Sequence, residues 1–456
     1  MYDLTDSLGI TTDVTNITTT EVTNKEPERA ELGFPGEVYI NKADLINHSG
    51  VGSDITSLIQ ELTLYEDMFA NALTGHMLIE DANELIGKFP IIGQELFVLE
   101  LQTPSFKEKI SKKFYIYKMQ HRTVNKRVQK YVLYFCSIEM INSINSKVAK
   151  AFDGYIHDVV LEIFRNERYL AVDEASETKI RYEKTKNKVK FVAPYWTPFQ
   201  TLNWLCERSI NKNDVPNYVF YEDNKTFVFT SIEQLFDSGT VRDYIASDSD
   251  QQTVALADGA KTTANFDEQY KIIESLDNNV VFDYFRNLAA GMYKSLLYTF
   301  DVTTKNIDRT DYNYIRDFDK NKHSETTPFP LKAKDLLSKK ASSVNHVIKN
   351  NFTWGENLPV EYSKFFLQRN SLMEQVSAFK LGIKVLGRTD IKVGDMISLT
   401  TPEMREILKD DIETEDSKSK IFSGRYLITA IRHQIIGSKH TMNMEIVSDS
   451  FMKELV

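Results

Sequence analysis

Cysteine is almost missing from this chain. Cys136 and Cys206 are the only two in 456 residues, and both sit in apolar runs, YFCSI and WLCER. A disulfide scaffold is thereby excluded, and maturation in a reducing cytoplasm is expected. No stretch approaches the ~18 uninterrupted apolar residues of a membrane helix. The opening MYDLTDSLGITTDV has neither the basic nor the apolar region of a signal peptide. The expectation is a chain that inserts in no membrane and does not leave by the general secretory route. Basic excess is missing too: 55 Lys and Arg stand against 65 Asp and Glu, a formal net charge of -10. A general nucleic-acid binder wants a basic face for the phosphates, so that class is disfavoured.

Signatures of catalysis are lacking as well. The chain has no HExxH, CxxC, Walker-type glycine loop or GxSxG elbow, and Gly50-Val51-Gly52 lacks the third glycine and lysine of a phosphate cradle. The eight histidines, His48, His76, His121, His157, His323, His346, His433 and His440, are scattered. His433 and His440 flank a hairpin turn and could face each other across strands, but two half-exposed strand histidines are the simpler reading. Glu80-Asp81 and Glu95 could be paired carboxylates, though acids at strand ends are ordinarily solvated. Asn16-Ile17-Thr18 and Asn47-His48-Ser49 match a glycosylation sequon that has no meaning without secretion. No catalytic, cofactor-binding or metal residue is assigned, and no cofactor is expected.

What is present is aromatic and repetitive. Twenty-two Tyr and 27 Phe favour strands and interfaces, and the length suits two to four domains. Residues 381–451 read LGIKVLGRTDIKVGDMISL, a charged loop, GRYLITAIRHQII, a turn and HTMNMEIV. Residues 73–142 follow the same plan, LTGHMLIEDANELIGKFPIIGQELFVLELQTP, KKFYIYKMQHRTV, a turn and QKYVLYFCSIEMIN. Laying Gly93 on Gly394 brings Leu96 to Ile397, Tyr115-Ile116-Tyr117 to Tyr426-Leu427-Ile428 and His121-Arg122 to Arg432-His433. Each copy is a series of short alternating runs between Gly, Pro and charged turns, as in a small antiparallel barrel. The separation is too long for a solenoid. One barrel, duplicated within the chain, is the expectation.

The rest of the chain is arranged around these copies. Residues 1–34 are too polar to fold alone and read as a mobile tail or a strap against a neighbour. A short helix is expected over 82–88. Between 143 and 168 the period changes to 3.6 with an interruption near Asp153-Gly154, predicting one bent helix or two short ones, and Thr197-Pro198 opens another helix as N-cap and N1. PNYVFYEDNKTFVFTSIEQLF reads as a hairpin turning at 222–225, then a helical turn. Residues 237–265 read as an exposed acidic linker. A strand is expected at 291–303 and a helix at 359–379, whereas 308–350 is too polar to supply core.

Four stretches carry a resemblance: the run DITSLIQELTLYEDMFANALTGHMLIEDANELIGKFPIIGQELFVLEL, the pair WTPFQTLNWLCERSI and PNYVFYEDNKTFVFTSIEQLF, the stretch QRNSLMEQVSAFKLGIKVLGRTDIKVGDMISL, and SGRYLITAIRHQIIGSKHTMNMEIV. In that order they resemble the central baseplate hub proteins of contractile-tailed phages, whose fold recurs in type VI secretion spikes. The resemblance implies an α+β, mainly antiparallel chain with two tail-tube-like barrels and an inserted α/β domain. It implies an arm over 1–34, a first barrel over 35–145, the α/β domain with its acidic linker over 146–280, a second barrel from 281–303 and 375–456, and an insertion over 304–374.

A non-enzymatic homotrimer is implied, with the central spike, the tail tube or its initiator, baseplate wedge proteins and the tape-measure protein as partners. DNA would pass through the lumen without specific binding. The place implied is the virion tail baseplate, assembled in the host cytoplasm. Tyr115, Tyr117, Tyr131 and Tyr426 are interface candidates, though a core role fits them equally. Phe365 and Phe366 could pack within the chain or face the spike. A hexameric tube initiator or ring protein, a baseplate-carried cell-wall hydrolase and a glycan-binding module remain as other readings.

Overall fold

The computed structural model describes residues 34–104, 106–125, 128–171, 180–246, 269–301, 304–329, 341, 343–349, 365–402 and 419–453. The expected N-terminal arm lies outside them, apart from Phe34. The fold is α+β and mainly antiparallel.

The first barrel is built from β1 (Tyr39–Ile46), β2 (Gly52–Asp54), β3 (Ile59–Asp67), β4 (Thr74–Asp81), the short helix α1 (Leu85–Lys88), β5 (Leu96–Gln102), β6 (Lys109–Asn125) and β7 (Val128–Ser137). Burial alternates strictly along β4 and β5, so every second residue faces in, Met77, Ile79, Phe97, Leu99 and Leu101 among them. Leu62, Met77, Phe97, Phe114, Leu133 and Phe135 are fully buried, each worth roughly 1.5–3 kcal/mol of transfer free energy.

The α/β domain follows: α2 (Ile138–Asn145), β8 (Ala151–Tyr155), α3 (Ile156–Arg165), β9 (Ile180–Tyr182), β10 (Lys188–Val192), α4 (Pro198–Arg208), β11 (Tyr218–Glu222), β12 (Phe227–Ser231) and α5 (Ile232–Phe236). The stripe expected over 143–168 forms two short helices, α2 and α3, and the break expected near Asp153-Gly154 is a strand. Phe152 faces in while Ala151 and Asp153 face out on β8, which pairs with β10. Helical spacing resumes only at Ile156, and Val159, Val160, Ile163 and Phe164 then form the buried side of α3. Helix α4 starts as expected. Thr197 accepts the Gln200 N–H and Gln200 returns to the Thr197 N–H, a full capping box with Pro198 at N1.

Next come β13 (Thr240–Ile245), β14 (Ile273–Val281), α6 (Tyr284–Ala290), β15 (Lys294–Asp301), β16 (Ile307–Asn313), α7 (Tyr314–Asp317), β17 (Ser343–Lys349), α8 (Phe366–Ala378), β18 (Phe379–Leu386), β19 (Met396–Thr400), β20 (Gly424–Ile436) and β21 (Lys439–Val447). Three expectations change here. The strand expected at 291–303 forms as β15, but it pairs with β16 and β17 in a separate small sheet. Its expected place in the second barrel is taken by β14, whose IESLDNNVV has no clean apolar alternation to signal it and is held by its ladder to β18. The expected linker contributes β13, which runs parallel to β19; residues 247–268 lie outside the described part. Residues 308–350 do supply core: Tyr312, Tyr314, Phe318 and Phe329 are buried in the same cluster as the second barrel. Of the helix expected over 359–379, the segment 366–378 forms, and 351–364 lies outside the described residues.

Both barrels share one thirteen-stranded sheet, ordered β14-β18-β21-β20-β3-β4-β7-β6-β5-β1-β2, with β19 and β13 branching from β20. No helix among the described residues is long and apolar enough to cross a membrane.

Candidate functional site

The two barrels match in hydrogen bonding, down to their irregularities. The Ile116 N–H donates to the Glu95 carbonyl, and the Ile428 N–H donates to the Asp395 carbonyl. Each strand is then interrupted by a bulge at the next step, between Ile116 and Lys118 in β6 and between Ile428 and Ala430 in β20. A second bulge also recurs, between Ile59 and Glu61 in β3 and between Ile273 and Ser275 in β14. Bulges are specific features of a strand, and two in the same places are the mark of one module used twice.

The repeat read from the sequence is in place, but its register is one residue off. Gly93 and Gly394 both turn the chain with positive φ, +90° and +88°. Gln94 is then an extra residue, so Glu95 stands at Asp395 and Leu96 at Met396, because Leu96 faces Tyr115 as Met396 faces Leu427. A slip of one residue turns every side chain to the other face. Tyr115 therefore corresponds to Leu427, not Tyr426.

The barrels meet where β3 pairs with β20, residues 61–67 against 430–436, in an unbroken antiparallel register. Into this seam the β11–β12 hairpin of the α/β domain inserts its turn. Glu222, Asp223 and Asn224 are buried, at 3%, 0% and 1% exposure, where the sequence suggested an ordinary hairpin turn. Glu222 accepts the Leu73 N–H at 3.0 Å, the Ser137 hydroxyl, and Lys112 Nζ at 2.8 Å, all from the first barrel. Asp223 takes Lys392 Nζ at 2.8 Å, and Asn224 Nδ2 donates to the Ile391 carbonyl at 3.0 Å, both in the second. One turn thus holds both barrels. A charged hydrogen bond of this kind is worth roughly 1.5–3 kcal/mol, and leaving a partner unpaired costs more.

Behind the turn lies a buried polar chain. Glu66 Oε1 is 2.9 Å from His433 Nε2, and Glu66 Oε2 accepts the Asn224 and Val393 N–H groups at 3.2 and 3.3 Å. His433 Nδ1 is 3.1 Å from His440 Nε2. The two histidines do face each other, as their positions allowed, but they are fully buried rather than half-exposed. Burial, and then the neighbouring His433, hold the His440 pKa well below the histidine range, so it is neutral. Burial pushes the Asp395 carboxyl up to about 6.

The acids considered for acid/base chemistry are structural. Glu95 is buried and accepts the Ile92, Gly93 and Gln94 N–H groups of its own turn. Asp81 is buried and accepts the Asn83 and Leu85 N–H groups at the start of α1, while Glu80 pairs with Lys130. One cluster contains the components of a Ser-His-Asp triad. His323 Nδ1 is 2.6 Å from Asp449, and Ser324 Oγ lies 2.9 Å from the same carboxylate. The geometry does not serve nucleophilic catalysis, however: His323 Nε2 points to the Phe318 carbonyl at 3.0 Å rather than to the serine, and Ser324 is 1% exposed. Burial pulls the His323 pKa down, but the Asp449 charge outweighs it and the pKa is raised. Among the described residues no group of three or more His, Cys, Asp or Glu is placed to hold a metal.

Of the interface candidates, Tyr131 and Tyr426 are buried core, Tyr115 is half-buried and Tyr117 is 45% exposed. Phe365 and Phe366 pack within the chain. Glu66, Glu222, Asp223 and Asn224 were not foreseen, because nothing local distinguishes a buried acidic turn from an exposed one.

No protein-family model matches the sequence, and no curated protein matches it. Solved structures do. A tail protein from Neisseria meningitidis MC58 superposes with TM-score 0.51 at 10% identity, covering 90% of this chain and 97% of that one. The 43 kDa tail protein of prophage MuSo2 from Shewanella oneidensis superposes with TM-score 0.53 at 8% identity, covering 90% and 99%. At these identities the likeness is one of fold: this chain has the fold of those two tail proteins.

Proposed function

We propose that the chain is a structural hub of a contractile phage tail baseplate, three copies forming a ring that joins the sixfold tail tube to the threefold central spike. The observation that carries this reading is the duplicated barrel, two copies sharing one wall through β3 and β20. Three such chains present six nearly equivalent barrels, so the ring is threefold by chain and close to sixfold in shape. That is what an adaptor between the two symmetries requires. The fold shared with two tail proteins, one of them of a prophage, supports a place in the virion tail; assembly in the host cytoplasm, and tube, spike, wedge and tape-measure proteins as neighbours, belong to the same proposal.

On this reading the polar face of the shared wall lines the channel for DNA. Three of its lysines are neutralised locally, Lys130 by Glu80, Lys380 by Glu445 and Lys384 by Glu274, while Lys118 lies over the Tyr134 ring. A passing polyanion then meets charge pairs rather than a basic stripe. The test is a mass measurement on the purified chain and on the assembled particle. Three copies are expected; six, as for a single-barrel tube initiator, would refute the hub. Lysis of cell walls by the purified chain would favour a carried hydrolase instead.

A further inference from the structure

The two seam strands have counterparts whose outer edges are open. In β20 the first residues pair with β19 and residues 430–436 pair with β3. In β6 the first residues pair likewise with β5, but residues 118–125 have β7 on one edge and, among the described residues, no strand on the other. β14 is the counterpart of β3. Past the bridge from Ile272 to Ile245, it has β18 on one edge and no described strand on the other. The exposures follow. Met119 is 36% exposed where its counterpart Ile431 is 1%. Asp277 is exposed where its counterpart Thr63 is buried. Long unpaired edges are templates for another strand.

Each open strand also differs from its seam counterpart by one added residue, at the same level of the wall. In β20, Arg432, His433 and Gln434 face Asn443, Met442 and Thr441 one to one. In β6, Gln120 and Thr123 face Val132 and Lys130, so His121 and Arg122 stand where one residue would fit, and His121 has φ +56°. In β3, Leu64 and Tyr65 face Gly75 and Thr74 in succession. In β14, Asn278 and Val280 face Leu381 and Lys380, leaving Asn279 extra. At the seam these levels meet, with His433 opposite Leu64. Two additions at one level cancel, so the open edges still match residue for residue. Charge matches too: Lys118 and Arg122 lie on one edge and Asp277 on the other.

We propose that the β14 edge of one copy adds to the β6 edge of the next, antiparallel and in the register of the seam, from Lys118 opposite Phe282 to Asn125 opposite Ser275. The shared wall then runs on from chain to chain. The contact is heterologous, so it either closes a ring or grows a filament. Its closure at three copies rests on the hub reading; the pairing itself rests on the strand edges. Phe285, 85% exposed just beyond β14, gives this edge an apolar end.

The test uses the full chain carrying Asn125→Cys and Ser275→Cys, both exposed positions. The native Cys136 and Cys206 are buried, with thiols pushed up to about 11 and about 12, and give little background. Mild oxidation at high protein concentration is expected to give a covalent ladder that stops at three chains. Asn125→Cys with Asp277→Cys places the thiols on a diagonal roughly 7–8 Å apart, too far for a relaxed disulfide, and is expected to give at least fivefold less. A three-copy particle without the 125–275 disulfide overturns the pairing and leaves the hub. A ladder running past three supports the pairing and removes the count of three. Neither disulfide nor assembly overturns the pairing.

Thr123 faces Asp277 in this register, so Thr123→Lys should lower, and Thr123→Asp raise, the concentration at half-assembly, each by roughly three- to fivefold. Equal effects of the two substitutions would overturn the register.

Discussion

Two strands of one plan end differently. β20 carries Ile431 and Ile435, buried at 1% and 2%, against β3. Its counterpart β6 carries Met119 and Val124 at the same levels, exposed at 36% and 62%. The halves that build each barrel, from the Gly93 and Gly394 turns through the shared bulge, keep the same hydrogen bonds. What changed is the edge. An edge covered within its own chain can be apolar from the moment of folding. An edge left open until another copy arrives has to remain soluble, and Lys118, Gln120, His121, Arg122 and Thr123 make it so.

The sharpest way to break this comparison is to put the same charge on both edges. Ile435→Asp buries an unpaired carboxylate in the seam and is expected to cost about 4 kcal/mol or more. Val124→Asp, at the equivalent open position, should change folding by less than about 0.5 kcal/mol. Urea unfolding of both variants decides, and equal losses would mean that the 118–125 edge is already covered in the single chain.

The turn glycines allow the next comparison. A Cβ on Gly394 would lie 2.1 Å from Tyr221 Oη, whereas on Gly93 the nearest atom is the Tyr117 carbonyl oxygen at 3.5 Å. Both turns need positive φ, so Gly93→Ala should cost about 1 kcal/mol and Gly394→Ala about 3. Thermal unfolding midpoints check the order.

Glu222→Gln tests the clasp at the seam. Lys112 would lose its carboxylate partner in a buried site, at a cost of about 2 kcal/mol. Limited proteolysis should then cut first between the barrels and the α/β domain. Uniform cleavage would mean that the turn does not hold them.

The smallest effect is one of pH. His440 enters the fold neutral with a lowered pKa, so the unfolded chain takes up its proton as pH falls below about 6.5 and stability is lost, by at most ~1.4 kcal/mol per pH unit. Asp395 works in the opposite sense. With its folded pKa at about 6, its contribution is fully present in acid and is lost as pH rises through about 6. His440→Gln should therefore lose less stability than the parent between pH 7 and 5, while Asp395→Asn should lose more. Unchanged slopes in both would place these groups outside the folding equilibrium.

Much of this was legible in the sequence because the signals were local. The repeat showed in its turns, Gly93 and Gly394, and in the alternating runs after them. The α4 start showed in Thr197-Pro198, and the β11–β12 hairpin in its aromatic runs. Features set by distant partners were hidden. β14 has a polar sequence and exists through β18. Phe152 sits on a strand in the break between two helical runs, because β10 pairs there. The candidate site was the least visible part: Glu66, Glu222 and Asn224 are ordinary acids and amides until the fold brings two barrels around them.

One module used twice builds the wall shared between barrels and, on the proposed pairing, between copies. Electron microscopy of the assembled chain tests it most directly. The expected image is a ring of three chains around a hole, with six barrels, β6 continuing into the β14 of the next copy, and alternate seams alike. A ring whose chains touch through other surfaces, with the β6 and β14 edges bare to solvent, would contradict it.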